Sequence, residues 1–301
     1  MWCDVRPLGW YDVIGSLKSG GYRLFCGCDM SPIADTQFQV DTNYRFLPFH
    51  FEKRYVPSDF YTYVSFLFSL QTMNVLLFVS LVVAIPTIIL SYIHNDLYQS
   101  INVLTISLIG FLVINILICI WELALYYRFD EIKMTHDARL KSGFYKDDSE
   151  GRRQRDETPI IVFRDVPFKK LFSLRTWAHV WADYSRYDVS YTDPTTFGYN
   201  IDVGNGHSTF IISCMFLYSL IVPYWSPKVM GIIGTILFYQ KFYGTVLYLF
   251  AFFNNRRYVN LTRNELIFAV IMTNIVWFIF PLIGLAASID LIMSESYAIF
   301  Q

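Results

Sequence analysis

A single carboxylate lies inside a long apolar stretch of this chain. Residues 111–127 read FLVINILICIWELALYY, and Glu122 is the charged residue among them. A lone acid in a membrane span costs roughly 2.5 kcal/mol or more on insertion, so it usually faces a partner or a cavity. Glu122 is therefore the first candidate for proton chemistry or ligand binding. The structural alternative is that it lies near the headgroups, beside the tyrosines and arginine at positions 126–128, and reaches water.

Three clusters of polar and aromatic residues lie farther along the chain. They read WADYSRYDVSY at 181–191, YQKFYGTVLY at 239–248 and NIVWFIFP at 274–281. Together with Glu122 they could line one pocket, where acids transfer protons and aromatic faces stabilise positive charge. The candidate ligand-contacting residues are Trp181, Tyr184, Asp188, Tyr191, Gln240, Tyr243, Asn274 and Trp277. Each also has a structural interpretation, such as helix packing, a bond to backbone amides or a bridge between helices.

The elements that must position these residues are membrane helices. The chain has 301 residues, of which 54% are hydrophobic and 16% charged, a composition too apolar for a soluble domain. Apolar runs long enough to cross a bilayer predict spans at about 66–93, 101–127, 208–225, 229–253 and 266–289. The predicted fold class is all-α, a polytopic integral membrane protein with five transmembrane helices in a membrane domain over 60–300.

Two polar regions flank the predicted spans. Residues 1–59 form an aromatic-rich extramembrane extension, and residues 128–202 form a long polar loop with the charge run KDDSEGRRQRDET. Both are candidate surfaces for protein partners, and nothing indicates nucleic acid. Cys26 and Cys28, with Cys3 nearby, lack a second pair at metal-finger spacing, so structural thiols are favoured over zinc. The sequence predicts no metal and no cofactor.

The basic residues predict an orientation. With five spans, all but two of the 24 lysines and arginines lie on the face of the N-terminus. Lys228 lies on the opposite face, and Lys241 lies within a span, where it could pair with Glu122 or reach headgroups. The positive-inside rule then places the N-terminus on the cytoplasmic or matrix side. The glycosylation sequon at Asn260 lies on that same side and is predicted to be unmodified.

Residues of about 101–291 resemble the sterol-isomerase and emopamil-binding family, also called the EXPERA domain. The family has an acid on its second helix, then W-K-E-Y-x-x-x-D-x-R-Y, Q-x-Y-G-x-V-L-Y and N-x-x-W-x-x-x-P. This chain is similar in the same order, at Glu122, then Trp181, Tyr184, Asp188 and Tyr191, then Gln240, Tyr243, Gly244, Val246, Leu247 and Tyr248, then Asn274, Trp277 and Pro281. The resemblance implies an EXPERA-like bundle with a sterol-type pocket.

Family isomerases move a sterol double bond from Δ8 to Δ7 by protonating one carbon and removing a proton from another. The resemblance implies that Glu122 and Asp183 are the acid/base pair and that Trp277 supports the intermediate cation. The chain also departs from the family pattern. Ile118 stands where the family has a histidine one turn before the acid, Asp183 is shorter than the family glutamate, and Ser190 replaces an arginine. The histidine's proton shuttle is therefore missing.

Two functions follow as alternatives. The first is a catalytically degenerate family member that serves as a structural or lipid-binding accessory subunit of a larger membrane complex, possible in the mitochondrial inner membrane as part of a respiratory assembly. The second is a working isomerase, or a related lipid enzyme, in the endoplasmic reticulum membrane. Iron-dependent desaturases need histidine clusters that the sequence lacks. A transporter would more often show internal repeats and interrupted helices.

Overall fold

The computed structural model describes residues 72–141, 145–147, 153–155 and 160–301, which belong to one unit of the chain. The predicted N-terminal extension, with Cys3, Cys26 and Cys28, lies outside the described residues, as does most of the charged run in the long loop. The predicted binding of protein partners through residues 1–59 therefore lies outside the described part of the chain.

The described elements are mainly helices. In chain order they are β1 (Thr72–Asn74), α1 (Val75–Tyr98), α2 (Val103–Tyr127), α3 (Phe129–Lys141), β2 (Tyr145–Asp147), β3 (Arg153–Arg155), β4 (Asp165–Pro167), α4 (Leu174–Tyr184), α5 (Phe197–Ile221), α6 (Pro227–Asn254) and α7 (Arg263–Ser294). Short 3-10 turns cover Ile161–Phe163, Phe168–Phe172, Val189–Thr192, Arg257–Asn260 and Ala298–Phe300. The strands form two antiparallel pairs, β1 with β4 and β2 with β3.

Four of the described helices, α1, α2, α6 and α7, are long and apolar enough to cross a membrane. A span needs about 20 apolar residues, so the chain is an integral membrane protein. Helix α5 has 25 residues, but it is not among those four because polar residues fill its first half. It begins at Phe197, earlier than the predicted residue 208, because Thr196 caps it by accepting a hydrogen bond from the amide of Tyr199.

The region 128–202 was predicted as one polar loop, and the structure corrects this prediction. Helix α3 follows α2 almost directly, and α4 lies in the same region. Helix α4 is amphipathic, with Trp177, Ala178, Trp181 and Ala182 buried on one face. This spacing is typical of a helix that packs on a core. Helix α4 was not predicted because the region around it is polar on average.

The bundle contains two main helix pairs. Helix α2 packs mainly on α5, and α6 packs mainly on α7. Where α2 meets α5, a Cβ atom on Gly206 would lie 2.7 Å from the Cβ of Glu122. Only a glycine allows this approach of the two backbones. Apolar residues such as Leu112, Phe216 and Phe238 fill one end of the bundle, whereas aromatic residues fill the other end.

Helix α7 changes its winding near its start. It begins at a capping box in which Thr262 and Glu265 bond each other's backbone amides. A π-helix then covers Leu266–Ile271, and α-helix resumes over Met272–Ser294. Such π turns often occur at functional sites, and this one contributes Phe268 and Ala269 to the wall of a cavity.

Candidate functional site

A cavity of about 630 Å³ lies at the aromatic end of the bundle. Its walls come from α2, α4, α5, α6 and α7, and the turn Ile161–Phe163 with its neighbour Ile160 closes part of it. Its volume is within the range of about 300–1,000 Å³ that small-molecule sites occupy. The walls are mostly apolar and aromatic, with a small number of polar groups. That composition suits a hydrophobic ligand with little polar surface.

The structure brings most of the predicted site residues together in this cavity. The predicted residues that line it are Glu122, Trp181, Asp183, Tyr184, Tyr191, Asn274 and Trp277. They come from three helices and the turn that follows α4, so their convergence depends on the tertiary fold. Ile118, one turn before Glu122, also lines the cavity, and it presents an apolar side chain at the position where the resembled family has a histidine.

Three predicted residues lie away from the cavity wall. Asp188 is completely buried and accepts hydrogen bonds from the amide of Ser190 and the hydroxyl of Tyr248. Gln240 donates to Asn205 Oδ1 and to Ser208 Oγ. Tyr243 is 47% exposed and stacks on Tyr239, so it faces outward from the bundle. For Asp188 and Gln240, the contacts are those of structural bridges between elements.

Glu122 forms an ion pair inside the bundle. Its Oε2 lies 3.7 Å from Nζ of Lys241 on α6, and both side chains are almost completely buried. The structure therefore favours the pairing interpretation of Lys241 over a position at the headgroups. Glu122 Oε2 makes no hydrogen bond within the described residues. The oxygen that faces Lys241 therefore has its charge compensated by the ammonium group without a hydrogen bond to it.

Asp183, the other predicted acid, has both carboxylate oxygens occupied. Its Oδ1 accepts hydrogen bonds from Arg139 at 2.6 Å and from Arg186 at 3.0 Å. Its Oδ2 accepts a bond from the backbone amide of Ile161 at 2.6 Å. Two guanidinium groups and a backbone amide thus fix the position of this carboxylate and compensate its charge. Asp183 is built as a structural clamp at the rim of the cavity.

A third carboxylate in the cavity was missed by sequence reasoning. Asp202 lines the wall, and its Oδ2 accepts a hydrogen bond of 2.6 Å from the hydroxyl of Tyr191. Burial and the nearby carboxylate raise the pKa of Tyr191 well above its ordinary value, so the phenol keeps the proton that it donates. Asp202 and Asn205 both line the cavity from the first half of α5, which the sequence did not predict to be helical.

Aromatic rings form the remaining walls. Trp277 Nε1 donates to Asn115 Oδ1 at 3.4 Å, and Trp181 Nε1 donates to the carbonyl of Trp121 at 2.6 Å. These bonds fix the orientation of the two indole rings, which both line the cavity. Burial raises the pKa of Tyr184 to about 12, so its hydroxyl is a neutral hydrogen-bonding group at any physiological pH. Asn274 donates to the carbonyl of Val270 within its own helix.

The arrangement is that of a binding cavity in which Glu122 and Asp183 are paired with positively charged side chains of the protein. Within the described residues, no group of three or more His, Cys, Asp or Glu side chains is arranged to hold a metal ion. Comparison of the chain with protein-family models, with curated proteins and with solved structures found no match.

Proposed function

We propose that the cavity holds a sterol-sized lipid within the membrane and that the chain carries out no chemistry on it. The chain would then be a catalytically degenerate EXPERA-like protein that acts as a structural or lipid-binding accessory subunit of a larger membrane complex. The observation that carries this proposal is the state of the two acids. Glu122 is paired with Lys241, and Asp183 is held by Arg139, Arg186 and a backbone amide.

Proton transfer needs a group that can gain and lose a proton at the pH of the reaction. Each carboxylate here instead lies beside positive groups that compensate its charge, Lys241 for Glu122 and two arginines for Asp183. Ile118 adds an apolar surface at the position where the resembled family has a histidine. Binding without turnover is the function that agrees with all three features.

The proposal includes five membrane spans, with α5 as the fifth. Helix α5 is as long as α2, and three of its polar residues, Asn205, Thr209 and Ser213, are buried against protein. Intramembrane polar residues are tolerated when they face the bundle interior. As a subunit of a respiratory complex, the protein would lie in the mitochondrial inner membrane.

Extraction of bound lipid from the purified protein tests the binding step. Ala269→Phe places a ring in the cavity, whereas Ala286→Phe places the same ring on an exposed face of the same helix. We expect native mass spectrometry to detect a bound lipid in the parent chain and in Ala286→Phe, and to detect loss of that lipid in Ala269→Phe. Equal occupancy in both variants would contradict binding in this cavity.

Affinity purification from the native membrane tests the subunit role. A stoichiometric set of membrane partners is expected to copurify with the chain in mild detergent. Recovery of a stable monomer without such partners would contradict the accessory role, and it would leave the lipid-binding result standing.

One observation favours isomerase activity as a second candidate. Glu122 Oε2 makes no hydrogen bond in the described part of the chain, and it shares the cavity with Asp202 and the indole of Trp277. These are the elements of an acid/base pair and a cation-stabilising face. Conversion of a Δ8 to a Δ7 sterol by the parent chain, abolished in Glu122→Gln, would establish this activity. Absence of turnover across Δ8 sterols is the result expected for a degenerate member.

A further inference from the structure

A short segment closes one side of the cavity. Ile160, Val162 and Phe163 line the cavity, and Ile161–Phe163 forms a single 3-10 turn. We call residues 160–163 the cap. A turn of this length has little stability of its own, and Phe163 is 61% exposed. Contacts with neighbouring elements must therefore hold the cap in place.

The C-terminal end of the cap is fixed to the start of α1. Asn74 Nδ2 donates to the carbonyl of Phe163 at 3.3 Å, and the amide of Val75 donates to the carbonyl of Arg164 at 3.1 Å. The pairing of β1 with β4 continues this attachment. Several backbone bonds must break together to release this end, so it is the fixed end of the cap.

The N-terminal end of the cap is held differently. The amide of Ile161 donates to Asp183 Oδ2 at 2.6 Å, and no other described element bonds this amide. The other oxygen of Asp183 is fixed by Arg139 and Arg186. The carboxylate is thus anchored to α3 and to the turn that follows α4, and it offers one charge-assisted hydrogen bond to the cap.

We propose that Asp183 is a latch that holds the cap over the cavity and thereby controls the exchange of the bound lipid. This inference rests on the proposed lipid-binding function. When the bond between Asp183 and Ile161 breaks, the cap swings about its fixed end at Phe163–Arg164 and moves Ile160 and Val162 away from the cavity. Asp183 is a positioning residue in this scheme, because it acts on the lipid through the cap.

The latch bond can be removed without touching the carboxylate. Ile161→Pro deletes the amide proton and leaves Asp183 with both arginines. The backbone accepts proline there, because Ile160 is extended at φ −62° and ψ 152° and position 161 is the first residue of a helical turn. Ile161→Val is the matched control, since it trims the side chain and keeps the amide. Asp183→Asn is a second variant that weakens the latch by removing its charge.

The test measures exchange of dehydroergosterol, a fluorescent sterol, from the full chain in nanodiscs by stopped flow. We expect Ile161→Pro to bind and release the sterol about tenfold faster than Ile161→Val, the size of effect that follows from losing one hydrogen bond to a charged group. The equilibrium affinity should change far less than either rate. Rates that agree between the two variants would overturn the latch.

Hydrogen exchange separates failure of the latch from failure of the proposed function. The amides of Phe163 and Arg164 bond within the cap, so in the absence of sterol they should exchange faster in Ile161→Pro than in Ile161→Val. If no variant binds the sterol but these amides still differ, lipid binding fails and the latch stands. If sterol binds and the amides exchange equally, the latch fails and lipid binding stands.

Discussion

Lys241 on α6 and Glu122 on α2 form an ion pair in the interior of a membrane protein, with 3.7 Å between Nζ and Oε2. The side chains are 1% and 4% exposed, so each charge depends on the other for compensation. The pair also joins the two halves of the bundle, because α2 packs on α5 and α6 packs on α7.

Removing one member of this pair should destabilise the protein strongly. Lys241→Met leaves a buried carboxylate without its counter-charge, a change that costs about 3–5 kcal/mol in comparable sites. The double variant Lys241→Met with Glu122→Gln should recover most of this loss, since it buries no net charge. Thermal unfolding in detergent of the parent, both single variants and the double variant measures the coupling. Additive effects would contradict the pair.

The close approach of α2 and α5 predicts a second pair of variants. A Cβ at Gly206 would lie 2.7 Å from Glu122 Cβ and 3.1 Å from the carbonyl of Cys119, whereas a Cβ at Gly204 meets nothing within 4 Å. Gly206→Ala should therefore cost about 1–3 kcal/mol through overpacking. Gly204→Ala, two residues earlier on the same helix and on its other side, should be neutral or stabilise by up to ~1 kcal/mol. Similar unfolding temperatures for the two variants would show that the helices separate easily.

Asp188 connects the turn after α4 to the turn before α7. It accepts a hydrogen bond from the hydroxyl of Tyr248 at 3.0 Å and pairs with Arg257 at 3.2 Å, and it is completely buried. Asp188→Asn should destabilise by several kcal/mol, because it leaves Arg257 without its counter-charge. The exposed pair of Lys228 with Glu295 is the control, and Lys228→Met should cost less than about 1 kcal/mol. Unfolding by denaturant distinguishes the two.

One exposed acid predicts a pH dependence. Asp193 Oδ1 accepts hydrogen bonds from the hydroxyl and the amide of Thr195, and these bonds lower its pKa below the ordinary 3.8. Because the folded pKa is lower, the stabilisation is complete above pH 3.8 and disappears as the pH falls through the folded value. The difference in stability between the parent and Asp193→Asn should therefore shrink over this acidic window. A constant difference down to pH 2 would contradict the contact.

The two ends of α6 test the predicted orientation. Lys228 lies at its start and Arg256 just beyond its end. In sealed vesicles of known sidedness, a membrane-impermeant maleimide should label Lys228→Cys from the non-cytoplasmic or non-matrix side, in excess of the parent chain. Arg256→Cys should label only after permeabilisation. The reverse pattern, or a glycan at Asn260, would invert the topology.

The apolar helices were predictable because composition alone defines them. The predicted range 101–127 agrees with α2 at Val103–Tyr127, and 229–253 agrees with α6 at Pro227–Asn254. Helix α5 was predicted too short, because the polar residues of its first half lower the average hydropathy, although Asn205 and Thr209 among them are buried. Helices α3 and α4 were missed for the same reason.

The site residues likewise include some that the sequence could identify and some that it could not. Glu122 and Trp277 stand out in a sequence because a charge and a large indole are unusual neighbours of apolar runs. The setting of Asp183 could not be read from the sequence, because its partners Arg139 and Ile161 lie 44 and 22 residues away. Asp202 was hidden for a local reason, since a helix that begins at Phe197 was not anticipated.

The π-helix at Leu266–Ile271 sets which side chains of α7 face the cavity. A π turn holds one residue more than an α turn would hold in the same length. Deletion of a single residue there should let the helix rewind as regular α with the residues beyond it still facing the same way, whereas rewinding without a deletion would rotate every one of them by about 100° relative to the capped start. Asn274 and Trp277 would then leave the wall that they now form. The orientation of the cavity residues on α7 therefore depends on the number of residues in the π turn as much as on their identities.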